Sequence, residues 1–505
     1  MSNRELPATV DIAIVGAGFS GLGMAIRLRQ AGRSDFVVLE KGDAVGGTWR
    51  DNSYPGAACD IPSHLYSFSF APNPEWTRKY SPQAEIYEYL RRCVARFGIG
   101  EHIFYGQQVT GARWDEGAGR WTVDTEHGSI SARVLVWASG PLSQAKKPDL
   151  PGLGAFEGPV FHSAEWDHGV SLAGRRVAVV GTGASAIQIV PAIAGEVAHL
   201  SVFQRTPPWI IPRKDKKFGG LQRWLFTHVP ATAKLERALT YLRLEFIFGP
   251  ALFGRNARTL ATIRERATEH LTSAVTDPAL VEVLTPDYDP GCKRLLVSDD
   301  YYPALVRDNV ELVPHAVASC TAGGVVDTEG VERPVDALVL ATGFEVTDPA
   351  FAGIIVGRGG RSLADEWSKG MHAYLGTAVE GFPNLFLMVG PNAVLGHNSV
   401  IYMIESQLNY VLDALRFMDR PGIGSVEVRT RVEEAFREEV EADFAHSVWT
   451  EGGCGSWYLD RFGHNTTLWP TYTYKFRGRT RRFHPGDYTV ASPARSEEPV
   501  GATAR

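Results

Sequence analysis

The chain has 505 residues, of which 51 are basic and 57 acidic, so its formal net charge is −6. Apolar residues make up 44% and charged residues 21%, which is ordinary for a globular protein. This length predicts about three domains, whose cores need no disulfide or metal staples. The acidic balance argues against a nucleic-acid partner. No apolar run approaches the roughly 18 residues that indicate a membrane span, so we expect no membrane partner either.

Glycine is the compositional outlier, with 52 residues, which exceeds its usual share. Such an excess indicates tight turns and places where the backbone approaches a ligand closely. The five cysteines, at positions 59, 93, 292, 320 and 454, are odd in number and include no closely spaced pair. This pattern predicts neither a disulfide framework nor a structural zinc site. We therefore expect no bound metal, a reducing compartment and a cytoplasmic location.

The first predicted element is a buried parallel strand at 11–15, followed by the motif GAGFSG and an apolar helix. This order of strand, glycine motif and helix indicates a dinucleotide-binding unit. Gly16 permits the tight turn, Gly18 lets the backbone approach a pyrophosphate, and Gly21 lets the helix pack on the strand. A second strand ends at Glu40, 24 residues after the first glycine, where a carboxylate can accept hydrogen bonds from ribose hydroxyls.

The pattern recurs where the strand RRVAVV leads into GTGASA, which contains Gly181 and Gly183, and then into a second apolar helix. A further strand ends at Arg205, again 24 residues after the first glycine of its motif. The first copy carries an acid at this place and the second a base, and a guanidinium can bind a 2′-phosphate in a bidentate manner. We therefore predict NADPH at the second unit and FAD at the first. A solvated arginine at a strand end is the alternative reading of Arg205.

A helix-patterned insert follows at 219–283. Two sets of apolar residues within it fall at helical spacing, and we interpret both as core. The first set is Leu235, Leu239, Leu242 and Phe246, and the second is Leu260, Ile263, Ala267 and Leu271.

Two apolar segments, at 134–140 and 336–344, each stop at a small residue before a glycine. They resemble the chain crossings of two-dinucleotide flavoproteins, although plain core strands would look the same. The predicted fold class is α/β, with two dinucleotide-binding, Rossmann-like domains and the helical insert in the second. The expected boundaries are 1–145 plus 381–490 for the FAD-binding domain, 146–218 plus 284–380 for the NADPH-binding domain, 219–283 for the insert and 491–505 for a disordered tail.

Reduced flavin can pass electrons to a disulfide, a quinone or dioxygen. The chain has no closely spaced cysteine pair, so its sequence does not favour the disulfide.

Two segments match sequence patterns of one enzyme family. The segment 156–167 (FEGPVFHSAEWD) matches F-x-G-x-x-x-H-x-x-x-W-[P/D], and 46–60 (GGTWRDNSYPGAACD) matches a second pattern of that family. From the first glycine motif to about residue 475, the chain resembles the type I Baeyer–Villiger monooxygenases. It is most similar to their 4-hydroxyacetophenone-type branch. The resemblance implies an enzyme that uses NADPH, FAD and O₂ to insert one oxygen atom next to a ketone carbonyl. The product would be an ester or lactone, formed through a C4a-peroxyflavin.

The resemblance also implies roles for individual residues. Arg294 matches the family's catalytic arginine and Asp60 its carboxylate partner, although by themselves they read as a surface charge and a local cap. Lys293 and Thr206 join Arg205 around the 2′-phosphate. The other expected contacts are Ser20, Thr48, Trp49, Asp51, Tyr66 and Val109 to FAD, and Thr182, Ser185 and Ala186 of the second glycine motif to NADPH.

Several neighbouring residues carry less specific expectations. His162 is expected to be a hinge residue between the two domains, and Cys59 and Cys292 to be small packing residues. His397 and Asn392 either face the flavin ring or substrate, or cap a helix. Trp457 matches a tryptophan on a mobile loop that folds over NADP in some relatives.

Two alternative activities remain at this point. The first is that of a flavin-containing monooxygenase that oxygenates nitrogen and sulfur, although such enzymes usually lack the Trp-Asp that ends the segment 156–167. The second is that of an NADPH oxidase or flavin reductase, which would release hydrogen peroxide or reduced flavin. The sequence predicts neither the particular ketone nor the oligomeric state.

Overall fold

The structure is a computed structural model that describes residues 4–493. Its strands are β1 (Thr9–Val15), β2 (Phe36–Leu39), β3 (Ile103–Phe104), β4 (Val109–Asp115), β5 (Arg120–Thr125), β6 (Gly128–Trp137), β7 (Val160–His162), β8 (Arg176–Val180), β9 (His199–Phe203), β10 (Ile210–Ile211), β11 (Leu296–Val297), β12 (Val310–Val313), β13 (Val317–Cys320), β14 (Gly324–Asp327), β15 (Glu332–Pro334), β16 (Ala337–Leu340), β17 (Ile355–Val356), β18 (Leu385–Leu387), β19 (Ser425–Val428) and β20 (Tyr488–Ala491).

The α-helices of the same part of the chain are α1 (Phe19–Gln30), α2 (Thr48–Asp51), α3 (Gln83–Phe97), α4 (Ala186–Ile193), α5 (Gly220–His228), α6 (Pro230–Arg243), α7 (Gly249–Leu252), α8 (Ala257–Ala274), α9 (Pro278–Leu284), α10 (Tyr301–Leu305), α11 (Leu363–Glu366), α12 (Val400–Met418), α13 (Thr430–Phe444), α14 (Val448–Glu451) and α15 (Thr473–Arg479). A π-helical turn, Leu244–Phe248, joins α6 to α7. None of the helices described is both long enough and apolar enough to cross a bilayer.

The first sheet has the strand order β17-β4-β5-β6-β1-β2-β3, and β18 also pairs with β6. Its centre is parallel, because β1 pairs with both β2 and β6 in parallel register. Ile12 and Ile14 of β1 point into one core with α1 and α12, while Ala13 and Val15 point into the core on the opposite face. Burial on both faces explains why residues 12–15 of this strand are continuously apolar rather than alternating.

The second sheet, in the order β12-β9-β8-β16-β7, is parallel throughout. Helices α4 and α10 pack on it through the buried residues Ile187, Val190 and Tyr301. The chain passes between the two sheets twice, and the passages run side by side. Lys146 N donates to Gly343 O at 2.9 Å, and Glu345 N donates to Gln144 O at 3.0 Å. The predicted α/β class with two dinucleotide-binding units is therefore confirmed.

The domain boundary expected at 380/381 is wrong in one part. β17 pairs with β4 of the first sheet, and Leu363, Trp367 and Met371 belong to the core on that sheet's outer face. The segment from about 350 onwards thus packs with the first sheet. Its position in the chain, after the second crossing, had led to the expectation that it belongs to the NADPH-binding domain. The tail expected from 491 also starts too early, because Ala491 pairs with Ser425 at the end of β20. Residues 494–505 lie outside the described part.

The insert 219–283 contains helices α5 to α9, as its periodicity predicts, but its two apolar sets differ in environment. Ile263, Ala267 and Leu271 of α8 are buried, and Leu260 is partly buried. Leu235, Leu239, Leu242 and Phe246 are 59%, 55%, 48% and 49% exposed, so the interpretation of this set as core is wrong. Periodicity shows that residues share a helix face, but it does not show whether another element covers that face.

The cysteine prediction is also corrected. Cys292 and Cys454 form a disulfide across 162 residues, so Cys292 is not simply a packing residue, and the cysteines no longer support the expected reducing compartment. Neither residue has a cysteine near it in sequence, and only the fold brings the loop before Lys293 against the loop before Trp457. Cys59, Cys93 and Cys320 are buried free thiols.

Candidate functional site

The first glycine motif forms a tight loop between β1 and α1. Gly16 has φ +100°, and a Cβ there would lie 2.8 Å from Ala138 O. A Cβ on Gly21 would lie 1.9 Å from Gly16 O, so neither position admits a side chain. Gly18 faces the backbone of Gly47, whose own φ is +52°. Two side-chain-free stretches of backbone thus form a cradle at the amino end of α1, where free N–H groups favour a phosphate.

Glu40 lies beside this cradle and is buried, with 3% exposure. Its carboxylate accepts from Ala17 N and from Gly42 N, both at 2.8 Å. Arg50 Nη1 donates to the same carboxylate at 2.8 Å. Burial opposes the charged form of Arg50, but hydrogen bonds to Asp51 and Glu40 raise its pKa above the usual range. The acid after β2 is therefore paired with Arg50 and bonded directly to the glycine loop.

The remaining residues expected at FAD surround the same cradle. Ser20 is buried in the first turn of α1, and Thr48, Trp49 and Asp51 form the short helix α2. Trp49 Nε1 donates to the hydroxyl of Tyr66 at 3.1 Å, and the two rings meet edge to face. Val109 begins β4, two residues after Gln107, whose N–H donates to Glu40 O at 2.9 Å. The fold thus brings residues from five separate segments to one cleft.

The second glycine motif repeats the turn. Gly181 has φ +110°, and a Cβ there would lie 2.5 Å from Ala341 O. Nothing lies within 4 Å of a Cβ built on Gly183, so this backbone faces open space. Thr182 Oγ1 donates to Thr206 O at 3.1 Å, which joins the loop to the strand end. Ser185 precedes Ala186, the first residue of α4.

Arg205 and Lys293 form a basic pair at this loop. Arg205 follows β9 by two residues and is exposed, while Lys293 is half-buried against the ring of Tyr288. Burial and then the charge of Arg205 lower the pKa of Lys293. Two cations in mutual repulsion, which the charge of Asp287 offsets only in part at Lys293, are suited to bind an anion such as a phosphate.

Asp60 and Arg294 form the ion pair that the resemblance implies. Arg294 Nε donates to Asp60 Oδ2 at 2.7 Å, and its Nη2 lies 2.6 Å from the same oxygen. The side chains of Arg294 and Asp60 are 26% and 28% exposed, so the pair is partly open to solvent instead of lying in the core. Asp60 raises the pKa of Arg294, which keeps the guanidinium charged. The third nitrogen, Nη1, donates to Leu395 O at 3.4 Å.

The segment that carries Asp60 also joins the two nucleotide loops. Gln188 of α4 exchanges two hydrogen bonds with the backbone of Ala58, at 3.0 and 3.2 Å, and accepts a third from the hydroxyl of Tyr54. Gly56 has φ +83°, and a Cβ there would lie 2.5 Å from Gln188 O. These contacts fix Asp60 relative to the second glycine motif.

Three site residues escaped the sequence analysis. Tyr458 is buried, its phenol lies close to Arg294, and burial raises its pKa. The Leu395 carbonyl and Gln188 are the other two. Tyr458 directly follows Trp457, and this adjacency was the one available sequence signal. A backbone acceptor and a helix glutamine carry no signal in a single sequence.

Four residues have roles that the sequence analysis left less specific, and the structure gives their surroundings. His162 is 1% exposed, its Nδ1 accepts from Ala164 N at 3.1 Å, and its ring lies edge-on to Phe344 in the second crossing. Asn392 donates to Asn465 O and Leu468 O, and it has φ +54°. The side chain of His397 is fully buried against Glu245, at 3.2 Å, and Ser399 rather than His397 stands at the start of α12. Trp457 is 40% exposed and packs on Tyr458.

These features define a two-dinucleotide-binding flavoprotein. They are the two glycine loops, the acid that follows one loop, the base that follows the other, and the paired crossings. Residues 13–227 match the family model described as pyridine nucleotide-disulphide oxidoreductase. A Baeyer-Villiger monooxygenase of Streptomyces coelicolor is 47% identical over 99% of this chain and 96% of its own length. The chain belongs to the Baeyer–Villiger monooxygenase family.

Solved structures agree with this assignment. The chain is similar to cyclohexanone monooxygenase from Rhodococcus sp. Phi1 bound to NADP⁺, with a TM-score of 0.84 and 30% identity. It is also similar to OTEMO in complex with FAD and NADP, with a TM-score of 0.85 and 27% identity. Each comparison covers 96% of this chain and 100% of the solved chain. The 4-hydroxyacetophenone-type branch stays a prediction.

Proposed function

We propose that this chain uses NADPH and O₂ to insert one oxygen atom next to a ketone carbonyl, giving an ester or lactone. The observation that carries the proposal is the partly exposed Asp60–Arg294 ion pair, whose Asp60 segment is bonded to α4 of the second unit through Gln188. The family membership and the name of the similar cyclohexanone monooxygenase support a ketone as the substrate class.

The residues at the first cradle fit FAD. The backbone of Gly16, Gly18 and Gly47 leaves room for a pyrophosphate, since a side chain on Gly16 would collide with Ala138 and one on Gly47 would crowd Gly18. Bound FAD supplies the redox chemistry that couples NADPH oxidation to the reaction of dioxygen. The residues proposed to hold it are Gly16, Gly18, Ser20, Gly21, Glu40, Thr48, Trp49, Asp51, Asp60, Tyr66 and Val109.

The second loop fits NADPH. The basic pair, Arg205 and Lys293, provides the charge that a 2′-phosphate needs. Burial and then the charge of Arg205 lower the pKa of Lys293, and a bound anion would offset the second of these causes. The residues proposed to hold NADPH are Gly181, Thr182, Gly183, Ser185, Ala186, Arg205, Thr206, Lys293 and Arg294.

Arg294 is proposed as the fixed cation of the reaction. Attack on a ketone carbonyl places negative charge on oxygen, and a preorganised cation of low solvent exposure stabilises that charge. Asp60 holds two of the three guanidinium nitrogens and Leu395 O the third, so the charge is oriented before substrate binds. Tyr458 is buried beside the pair, and its phenol interacts with Arg294.

The proposed location is the cytoplasm, which is supported by the requirement for NADPH from the cell interior. The proposed partners are a small-molecule ketone and O₂.

Product identification tests the proposal. The purified enzyme is supplied with NADPH and O₂, and products from cyclic, linear, aryl and steroidal ketones and from an aryl sulfide are identified by mass spectrometry. An ester or lactone that carries one ¹⁸O atom from ¹⁸O₂ is the expected result. The proposal would be overturned if the sulfide gave a sulfoxide while no ketone gave an ester or lactone. Release of stoichiometric hydrogen peroxide with all substrates would also overturn it.

A further inference from the structure

The outer face of α6 is apolar, exposed and not covered by any other described element. Leu235, Leu239, Leu242 and Phe246 follow one another at intervals of four, three and four residues, and each is about half exposed. Ile247, in the π-helical turn that continues α6, is 52% exposed. Scattered apolar side chains are normal on a surface, but a contiguous stripe of large ones marks an interaction site.

Poor packing of α6 does not explain this exposure, because the inner face of the helix is firmly bonded. Arg237 Nη1 donates to the carbonyls of His64 and Ser67 at 2.9 and 2.8 Å. Tyr241 hydrogen-bonds Thr473 at 3.1 Å. The helix is therefore held in position and presents its apolar face outward.

Basic and aromatic residues border the stripe. The exposed charges on α6 are Lys234 near its start and Arg243 at its end. Its acid, Glu236, is half-buried, and Glu245 of the π-helical turn is fully buried. At the far end, Phe246 stacks on Tyr474, which is 45% exposed.

The surface beside Arg243 is basic as well. Lys79 lies close enough to interact with the charges of both Arg243 and Lys216, and Lys475, next to Tyr474, is exposed. The acids nearby are Glu236 and Asp215, and Asp215 is paired with Arg78 at 2.7 Å. The surrounding charge is thus locally positive on a chain whose net charge is −6.

This charge pattern decides between two occupants of the face. In a two-fold dimer the same patch meets itself. An axis through Leu239 would bring Lys234 of one copy against Arg243 of the other, and like charges would oppose the contact. An anionic bilayer complements both features, because the apolar side chains enter the acyl boundary while Lys and Arg meet the headgroups. Aromatic residues at one end fit the interfacial region.

We propose that the outer face of α6, defined by Leu235, Leu239, Leu242, Phe246 and Ile247, binds the surface of anionic phospholipid bilayers without crossing them. The contact is independent of the oxygenation chemistry, since none of these side chains lies at the Asp60–Arg294 pair. It departs from the expectation of no membrane partner, which rested on the absence of a spanning segment.

Flotation of the FAD-loaded enzyme with vesicles tests the proposal. Vesicles of phosphatidylcholine alone are compared with vesicles that contain phosphatidylcholine and phosphatidylglycerol in comparable amounts. We expect binding to the anionic vesicles that weakens with salt. The double variant Leu239→Gln/Leu242→Gln should bind on the order of tenfold less, because it removes apolar area from the interface. The double variant Lys234→Gln/Arg243→Gln should lose the preference for anionic lipid.

The control is Val331→Gln, which changes a side chain of similar exposure, 50%, between β14 and β15. All variants should retain FAD and turnover of a water-soluble ketone, which separates this test from that of the proposed function. No flotation of the native enzyme, or equal binding by the Leu239→Gln/Leu242→Gln variant, would overturn the proposal. If the native enzyme does not bind vesicles but is a dimer by light scattering, and the Leu239→Gln/Leu242→Gln variant is a monomer, the face would be assigned to a second copy of the chain.

Discussion

Replacement of Asp60 by asparagine removes one charge from the ion pair while keeping the side-chain volume. In the native enzyme, one oxygen of Asp60 accepts from Arg294 Nε at 2.7 Å and lies 2.6 Å from Nη2. The Asp60→Asn side chain would offer a neutral oxygen or an N–H group that repels the guanidinium. Arg294 would then keep its charge but lose the partner that orients it.

The expected magnitude follows from these contacts. Hydrogen bonds to charged groups contribute about 1.5–3 kcal/mol each. Because the two side chains are 26% and 28% exposed, solvent screening reduces the combined loss to about 2–3 kcal/mol. Since about 1.4 kcal/mol corresponds to tenfold, kcat/KM for ester formation should fall about 30- to 150-fold.

Ester formation is measured by gas chromatography and oxygen uptake by an electrode, so that their ratio gives the coupling efficiency. Bound FAD is quantified from its absorbance, which should stay native. The matched control is Asp336→Asn, which weakens another Arg–Asp pair, with Arg176 at 2.7 Å, on the exposed surface of the second sheet. Ester formation by Asp60→Asn within threefold of the native rate, while Arg294→Ala abolishes it, would refute the positioning role of Asp60.

Three further predictions concern separate parts of the molecule. Arg205→Ala should lower kcat/KM for NADPH about 10- to 100-fold by removing charge-assisted bonds to the 2′-phosphate, and equal losses with NADH would contradict this. Glu245→Gln should lower the free energy of unfolding by about 2–4 kcal/mol, because it leaves the buried donors of His397, Asn398 and Thr473 without a charged acceptor; an unchanged denaturation midpoint would refute this. Burial, followed by the charge of Arg237, lowers the pKa of His64 to about 4. Its unfolded form therefore binds more protons at acid pH, and between pH 7.5 and 5 the native enzyme should lose about 2 kcal/mol more stability than His64→Phe. Parallel pH profiles of the two proteins would show that His64 does not contribute.

The parts of the fold that were predictable are those with local causes. A tight turn before a helix that receives a pyrophosphate requires glycine at fixed offsets, so both nucleotide loops could be located by position. The acid at Glu40 and the base at Arg205 follow from the same spacing. The periodicity of the insert correctly predicted helices, because that signal depends only on neighbouring residues.

The errors arose where the outcome depends on residues far apart in sequence. The stripe on α6 has the same spacing as the buried residues of α8, and only the neighbouring elements decide which of the two is covered. Strand β17 follows the second crossing in the chain, yet it pairs with β4 of the first sheet. Resemblance, rather than composition, indicated the pairing of Asp60 with Arg294, which are 234 residues apart.

The sequence by itself determined the two nucleotide-binding units, their contrasting charges and the family, because glycine geometry and signature motifs are written in short segments. The tertiary structure decided which residues meet: Tyr458 beside Arg294, Gln188 against Ala58, Cys292 with Cys454, and Glu245 with His397. It also decided that α6 keeps an apolar face toward solvent. Contacts over long separations depend on the packing of the whole chain, and packing is a property of the assembled fold rather than of any one segment.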